Sequence, residues 1–199
     1  MRHRPVQDVS RLPDYGFGNR MTPFWGTLGF MTLEGTGFAL AAGAYLYLVW
    51  LNPQWPLADT PPDLLWSSLL TAVLVVSAWP NQMLKGHAKR EDLPRIRREL
   101  LIMSFLAVAV LGIRAFEFGT LHVRWDQNAY GSIVWALLGL HTAHILTDAI
   151  DTFVLTALMF TKHAKGKRFS DVEDNAIYWD FVVISWLPIY GLIYWVPRT

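Results

Sequence analysis

The chain has 199 residues with a formal net charge of +1, and 53% of its residues are hydrophobic whereas 17% are charged. This composition is poor in charge for a soluble domain and therefore indicates a membrane protein. The basic residues form no patch interleaved with aromatic residues, which argues against nucleic-acid binding. Because the sequence contains no cysteine, disulfides, iron–sulfur clusters and thiolate-bound zinc or copper are excluded.

Five long apolar segments predict an all-α integral membrane bundle. Residues 64–84 contain no charged side chain, and at about 1.5 Å per residue such a helix crosses a hydrocarbon core of roughly 30 Å. The tail 1–23 precedes a single transmembrane domain over 24–199. The approximate predicted spans are 25–51, 64–84, 99–118, 129–160 and 177–197.

The basic residues predict the orientation of these spans, since short cytoplasmic loops collect Lys and Arg. Most of the 17 basic residues fall in the tail, in the loop after the second span and in the loop after the fourth span. These three segments share one side of the membrane if there are five spans. We therefore expect a cytoplasmic N-terminus and an outside, periplasmic C-terminus. The tail also lacks the apolar core of a signal peptide, so we expect the mature chain to start there.

The first span contains one carboxyl group, Glu34, among the small residues of GTLGFMTLEGTGFALAAGA. Small residues allow a neighbouring helix to approach closely. One interpretation is a protonated or hydrogen-bonded carboxyl group that locks two helices together. The other is a proton-active or partner-contacting group, because ionisable residues inside a membrane are often functional. The residue alone favours neither interpretation.

The third span carries Arg114 and Glu117 near its predicted outer end. Residues three positions apart lie on the same face of a helix. The spacing therefore predicts a structural ion pair.

The fourth span contains the stretch LHTAHILTDAID, with His141, His144, Asp148 and Asp151 at intervals of three, four and three residues. At 100° per residue these side chains fall within an arc of about 80°. Exposing such a stripe to lipid is costly, so it must face other helices, a polar lipid headgroup or a partner subunit. Desolvation disfavours the charged form of a carboxyl group, and we expect both aspartates to be protonated or paired.

A haem or metal site on this stripe is a weaker alternative. Bis-histidine haem ligation needs a histidine from a facing helix, and the remaining histidines are predicted in tail or loop segments: His3, His87, His122 and His163. A metal ion held by the stripe would lack any defining ligand spacing. We therefore predict a hydrogen-bonded polar seam, with no metal ligand and no catalytic residue.

Four ordered motifs resemble subunit III of the haem-copper respiratory oxidases of the cytochrome c oxidase type, in its short five-helix bacterial form. FWGTLGFMTLEGTGF places the family's buried glutamate at Glu34, and LGIRAFEF places a second acid at Glu117. QNAYGSIVWALLGLHTAHI matches a helix with two histidines, here His141 and His144. VEDNAIYWDFVVISWLPIYGLIYW matches the last helix, in which Glu173 precedes a Tyr-Trp pair.

The resemblance covers about residues 24–196 and includes three departures. Asp180 stands where the family's last helix usually has His, and Val183 stands where that helix has Asp. Asp148 stands where the fourth helix usually has Gly. These differences indicate a divergent branch of the family.

The resemblance implies a non-catalytic subunit that binds no redox cofactor and packs against the haem- and copper-bearing subunit I, with subunit II in the same complex. It further implies bound phospholipid, support of assembly, stability and proton uptake in a proton-pumping complex of aerobic respiration, and a place in the bacterial cytoplasmic membrane. The buried polar residues that could be linked to protons or lipid are Glu34, His141, His144, Asp148, Asp151, Glu173 and Asp180.

Other functions remain open. Within the family, the chain could instead be the subunit-III-like protein of a nitric oxide reductase or of a quinol oxidase. A stand-alone ion or proton transporter is an alternative of another class, motivated by the intramembrane acids. Five spans without an inverted repeat or a pair of broken helices argue against a transporter.

Overall fold

The computed structural model describes residues 22–57, 60–162, 164 and 167–198, so nearly all of the predicted tail lies outside the described residues. The described part confirms the all-α prediction, with five long helices. They are α1 (Thr22–Leu51), α2 (Leu64–Lys89), α3 (Leu93–Gly119), α4 (Ala129–Met159) and α5 (Lys167–Tyr190). The last helix continues into a π-helical turn, Gly191–Trp195, and a 3₁₀ turn, Val196–Arg198. One expectation is wrong, because His87 lies inside α2 and not in a loop.

Among the described residues, four helical stretches are long and apolar enough to cross a membrane: α2, α3, α4 and the continuous helical run Arg168–Arg198. The helix α1 is not one of them. Its 30 residues provide sufficient length, but Glu34 and its many Gly and Thr residues reduce its hydropathy. The crossing of the membrane by α1 therefore stays a prediction, and so does the orientation of the termini.

The helices α2, α3, α4 and α5 form a ring in which each contacts two others, and α1 packs outside it against α4 and α5. The buried side chains of α1 are Phe38 and Tyr45. By contrast, Leu33, Leu40 and Trp50 are 74%, 71% and 80% exposed. An apolar surface of this kind requires lipid or a protein partner.

Hydrogen bonds from tryptophans join α2 to α5. Trp179 donates its indole N–H to Ser77 Oγ at 2.8 Å, and Trp186 donates to Thr71 Oγ1 at 2.7 Å. The higher-numbered residue of α2 meets the lower-numbered residue of α5, so the two helices run antiparallel. Small hydroxyl residues on α2 thus allow close approach and also satisfy the polar ends of the large rings on α5.

The motif NAYGS begins α4 for two physical reasons. Asn128 is the N-cap residue, and its side-chain oxygen accepts a hydrogen bond from the Gly131 backbone N–H at 2.8 Å. Gly131 packs directly against the preceding loop. A Cβ at this position would overlap the Arg124 backbone oxygen and would lie 2.9 Å from Val123 Cγ2. Position 131 therefore requires glycine, because a side chain there would collide with the preceding loop.

Replacing Gly131 by Ala should destabilise the protein by about 1–3 kcal/mol, since the added methyl group displaces backbone and not a flexible side chain. The measurement is the apparent melting temperature of the purified chain in mild detergent. Gly139→Ala is the matched control, because Gly139 lies in the same helix with no atom within 4 Å of an added Cβ. Alanine is also the better helix former there. Equal melting temperatures for the two variants would contradict the packing argument.

Candidate functional site

The polar stripe of α4 faces the other helices along most of its length. His141, His144 and Asp148 are buried, with 0%, 5% and 2% of their surface exposed, whereas Asp151 is exposed. Each of these side chains contacts a residue from at least one other helix. The stripe thereby divides into three groups of contacts, which meet α3, α1 and α5.

The first group surrounds Arg114 of α3, which is 1% exposed. Its Nη1 lies 2.5 Å from Glu117 Oε2, and its Nη2 donates to His141 Nδ1 at 2.8 Å. Tyr194, in the π-helical turn, donates its hydroxyl to Glu117 Oε1 at 2.5 Å. The predicted pair Arg114 and Glu117 thus lies together with His141 of α4 and with Tyr194 of the turn that follows α5.

The hydrogen bonds determine the tautomer of His141. A guanidinium group has donors only, so His141 Nδ1 must accept from Arg114. The other ring nitrogen, Nε2, lies 3.0 Å from the Val182 backbone oxygen and therefore carries the hydrogen. Trp186 covers the other side of the guanidinium, with Arg114 Cζ 4.2 Å from its ring centroid. His141 is consequently a neutral structural link between α3 and α5.

The second group joins α1 to the ring of helices through Glu34. His144 Nε2 lies 2.9 Å from Glu34 Oε1, and Tyr178 donates its hydroxyl to Glu34 Oε2 at 2.7 Å. Phe38 packs beside this contact, with its ring centroid 4.8 Å from that of His144. The glutamate of α1 is therefore held by one residue from α4 and one from α5.

Glu34 and His144 are in close contact. His144 Nδ1 is 2.5 Å from the Leu140 backbone oxygen, which can only accept, so this nitrogen carries a hydrogen. His144 Nε2 is buried and forms no hydrogen bond of acceptable geometry among the described residues, although it lies 2.9 Å from Glu34 Oε1. Tyr178 is therefore the residue that donates a hydrogen bond to the glutamate.

The third group contains the two aspartates. Asn175 of α5 donates its side-chain amide to Asp148 Oδ1 at 3.2 Å and to Asp151 Oδ2 at 3.1 Å. Thr152 donates its hydroxyl to Asn175 Oδ1 at 3.3 Å. One amide group on α5 therefore bridges both acids at the last part of the stripe.

Two further predicted residues, Asp180 and Glu173, lie on α5 away from the stripe and face α2. Asp180 accepts hydrogen bonds from Asn81 at 2.7 Å, from Gln82 at 2.8 and 2.9 Å, and from Lys85 at 2.7 Å. Glu173 Oε1 is 3.7 Å from Lys89 Nζ. Asp148 and Asp180 thus bind different partners. The acid at position 180 joins α5 to α2.

Sequence reasoning missed three residues that complete these groups: Asn175, Tyr178 and Tyr194. A signal was available for two of them, because Asn175, Tyr178 and Val182 follow one another at helical spacing and so lie on one face of α5. That face meets α4. No local spacing indicated that Tyr194 would reach Glu117, which is 77 positions away.

The arrangement places a carboxyl group beside an imidazole at Glu34 and His144, and it places two acids around one amide at Asp148 and Asp151. Among the described residues, no three or more His, Asp or Glu side chains form a group that could hold a metal ion.

Comparison with known proteins relates this chain to one family. The family model described as cytochrome c oxidase subunit III matches residues 61–197. "Probable cytochrome c oxidase subunit 3" of Nocardia farcinica is 27% identical over 180 residues, which cover 86% of each chain. The protein of Mycobacterium bovis with the same name is 26% identical over 72% of each chain. "Cytochrome c oxidase subunit 3" of Pylaiella littoralis is 25% identical over 71% of this chain, which spans about half (53%) of that relative's length.

Replacing Glu117 by Gln should lower the free energy of unfolding by about 3–5 kcal/mol, because the shape is kept while the Arg114 charge loses its buried counter-charge. The apparent melting temperature in detergent measures this loss.

The matched control is Asp126→Asn in the loop before α4. Hydrogen bonds from the Arg124 guanidinium hold the pKa of Asp126 below its usual range. Both side chains of this pair are exposed, so solvent and salt screen it. If Asp126→Asn lowers the melting temperature as much as Glu117→Gln, the argument that breaking a buried ion pair destabilises the protein more than breaking an exposed one is wrong.

Proposed function

Because the chain belongs to the cytochrome c oxidase subunit III family, we propose that it is a non-catalytic integral subunit of a proton-pumping haem-copper terminal oxidase. The observation that carries the proposal is the family match over residues 61–197, which includes α2 to α5 and the seam residues on α3, α4 and α5. In such a complex haem and copper belong to the partner subunits. The chain itself contributes protein surface, bound phospholipid and the buried acid and imidazole side chains of Glu34 and His144.

The helix α1 supports the proposed contact with a partner subunit. Its inner side is held by the contact of Glu34 with His144 and Tyr178. Its outer side exposes large apolar residues, among them Leu33 and Trp50. We assign this outer side to the haem- and copper-bearing subunit I, in a complex that also contains subunit II in a bacterial cytoplasmic membrane.

The contact between Glu34 and His144 supports the proposed role in proton uptake. Acidic and imidazole side chains inside a membrane bundle are typical of proton pathways, and these two lie 2.9 Å apart. In the proposed complex this pair sustains proton uptake by subunit I, and the chain transfers no electron.

Purification from the native membrane tests the subunit assignment. The tagged chain, extracted in mild detergent, should bring down a polypeptide that carries haem and copper, visible as a haem absorption spectrum and as stoichiometric copper. An unrelated tagged membrane protein from the same cells is the control. Recovery of the chain with no haem-bearing partner would reject the proposal. Oxygen consumption with cytochrome c or quinol, and nitric oxide reduction, then determine the type of complex.

The proposed topology of five spans places the two termini on opposite sides of the membrane. Alkaline phosphatase, which is active only outside the cytoplasm, should be active when fused after Arg198 and inactive when fused between α2 and α3. A fluorescent protein that folds in the cytoplasm should give the reverse pattern. A phosphatase that is active on an N-terminal fusion would show that α1 does not cross as proposed.

A further inference from the structure

The helix α1 is held unevenly along its length. Its two buried side chains, Phe38 and Tyr45, both lie in its second half. Residues 22–37, all of which the structure describes, include no buried side chain. The helices α2, α3 and α4, by contrast, bury side chains at regular intervals from one end to the other. The first half of α1 is therefore the least tightly packed part of these four helices.

An aromatic cluster fixes the second half of α1 to the bundle. Trp55, in the loop after α1, donates its indole N–H to the Tyr45 hydroxyl at 3.0 Å. Its ring meets the rings of Tyr45 and Tyr130 edge-on, at centroid distances of 5.3 and 5.1 Å. Tyr45 and Tyr130 are both 0% exposed. Because the cluster joins α1, the loop and the beginning of α4, this half of α1 cannot move without separating buried rings.

A cavity of about 570 Å³ lies between the first half of α1 and the rest of the bundle. Its opposite wall comes from the second half of α4 and the beginning of α5. A Cβ added at Gly26 or Gly29 would meet no other part of the chain within 4 Å. Low contact density of this kind marks segments that open locally at small cost in free energy.

Tyr178 of α5 connects the first half of α1 to the bundle through two contacts. It donates its hydroxyl to Glu34 Oε2 at 2.7 Å. Its ring also stacks on that of Phe30, with 6.0 Å between the centroids. Phe30 is nevertheless 52% exposed. One side chain thus holds the first half of α1 against the cavity.

Two glycines, Gly35 and Gly37, separate the two halves of α1. Glycine weakens a helix relative to alanine, and helices bend at such positions. An added Cβ at Gly37 would meet no neighbouring atom, and at Gly35 it would only touch the Phe181 ring at 3.7 Å. Packing therefore does not require glycine at either position, whereas bending does favour it.

We propose that residues 22–34 form a lid, which swings about Gly35 and Gly37 and changes the width of the cavity. Tyr178 is the latch that holds the lid closed. Opening increases the distance between the lid and the second half of α4, while the second half of α1 stays in place. The lid thereby controls access to the end of the polar stripe, where Asn175 bridges Asp148 and Asp151. The inference goes beyond the proposed function, because the motion takes place within this chain.

Spin labels on the purified full chain in lipid nanodiscs test the motion. The chain has no native cysteine, so labels attach only at introduced ones. The lid pair is Leu28→Cys with Ile150→Cys, and the control pair is Leu46→Cys with Ala136→Cys. Each pair joins α1 to α4 at exposed positions. Pulsed electron spin resonance should give a distance distribution at least about twofold wider for the lid pair than for the control pair.

Two matched substitutions test the hinge. Gly37→Ala should narrow the distribution of the lid pair, because alanine is the better helix former and the added methyl group meets no neighbour. Gly43→Ala is the control, since Gly43 lies in the second half of α1 and is equally open around an added Cβ. It should leave the distribution unchanged. An identical response to both substitutions would show that the motion is not centred at Gly37.

A second matched pair tests the latch. Tyr178→Phe keeps the ring but removes the hydroxyl that binds Glu34, so it should shift the lid pair to longer distances. Tyr190→Phe is the control, because the Tyr190 hydroxyl lies 2.9 Å from Ser68 Oγ of α2 and does not bind α1. Equally narrow distributions for the lid and control pairs, unchanged by Tyr178→Phe, would overturn the proposal. The measurement requires no haem-bearing partner, so its outcome is independent of the subunit assignment.

Discussion

The buried guanidinium of Arg114 is the charge on which the arrangement of three helices depends. Inside a membrane protein neither lipid nor water can compensate it, so its partners must come from the chain. Glu117 provides the counter-charge from one turn further along α3, and His141 provides an acceptor from α4. Trp186 of α5 covers the remaining face. Because the acceptor lies on α4 and the aromatic ring on α5, a shift of α4 by one turn would remove a hydrogen-bond acceptor from the guanidinium, and a shift of α5 would remove the ring that covers it. The register of the bundle is therefore tied to this group.

The need to satisfy buried polar groups within the chain also explains how α1 is attached. This helix buries few side chains, so apolar packing alone gives it little hold on the ring of helices. The contact of Glu34 with His144 and Tyr178 adds a polar link to α4 and α5. A polar link in an apolar surrounding is strong and directional. The attachment of α1 thus depends on one group of three side chains.

The sequence predicts the five helices and the inward direction of the stripe, because apolar length and helical spacing are local properties. The spacing of Arg114 and Glu117 likewise indicates that the two lie on one helix face. Local spacing does not reveal which distant residue completes each contact. Tyr178 reaches Glu34 from 144 positions away, and Asn175 reaches Asp148 from 27 positions away. Such pairs depend on how helices rotate and pack against one another, which is a property of the whole bundle.

Asp180 and Asp148 differ in the number of hydrogen-bond donors that the neighbouring helix presents to them. Asp180 accepts hydrogen bonds from the ammonium group of Lys85 and from two side-chain amides, all on α2. That carboxylate is fully satisfied and serves to join two helices. Asp148 is bonded to a facing helix through the amide of Asn175, which also donates to Asp151. One amide N–H₂ group cannot satisfy the oxygens of two carboxylates. An acid that lies opposite sufficient donors therefore becomes a structural contact, whereas Asp148 has to share the amide of the facing helix with a second acid.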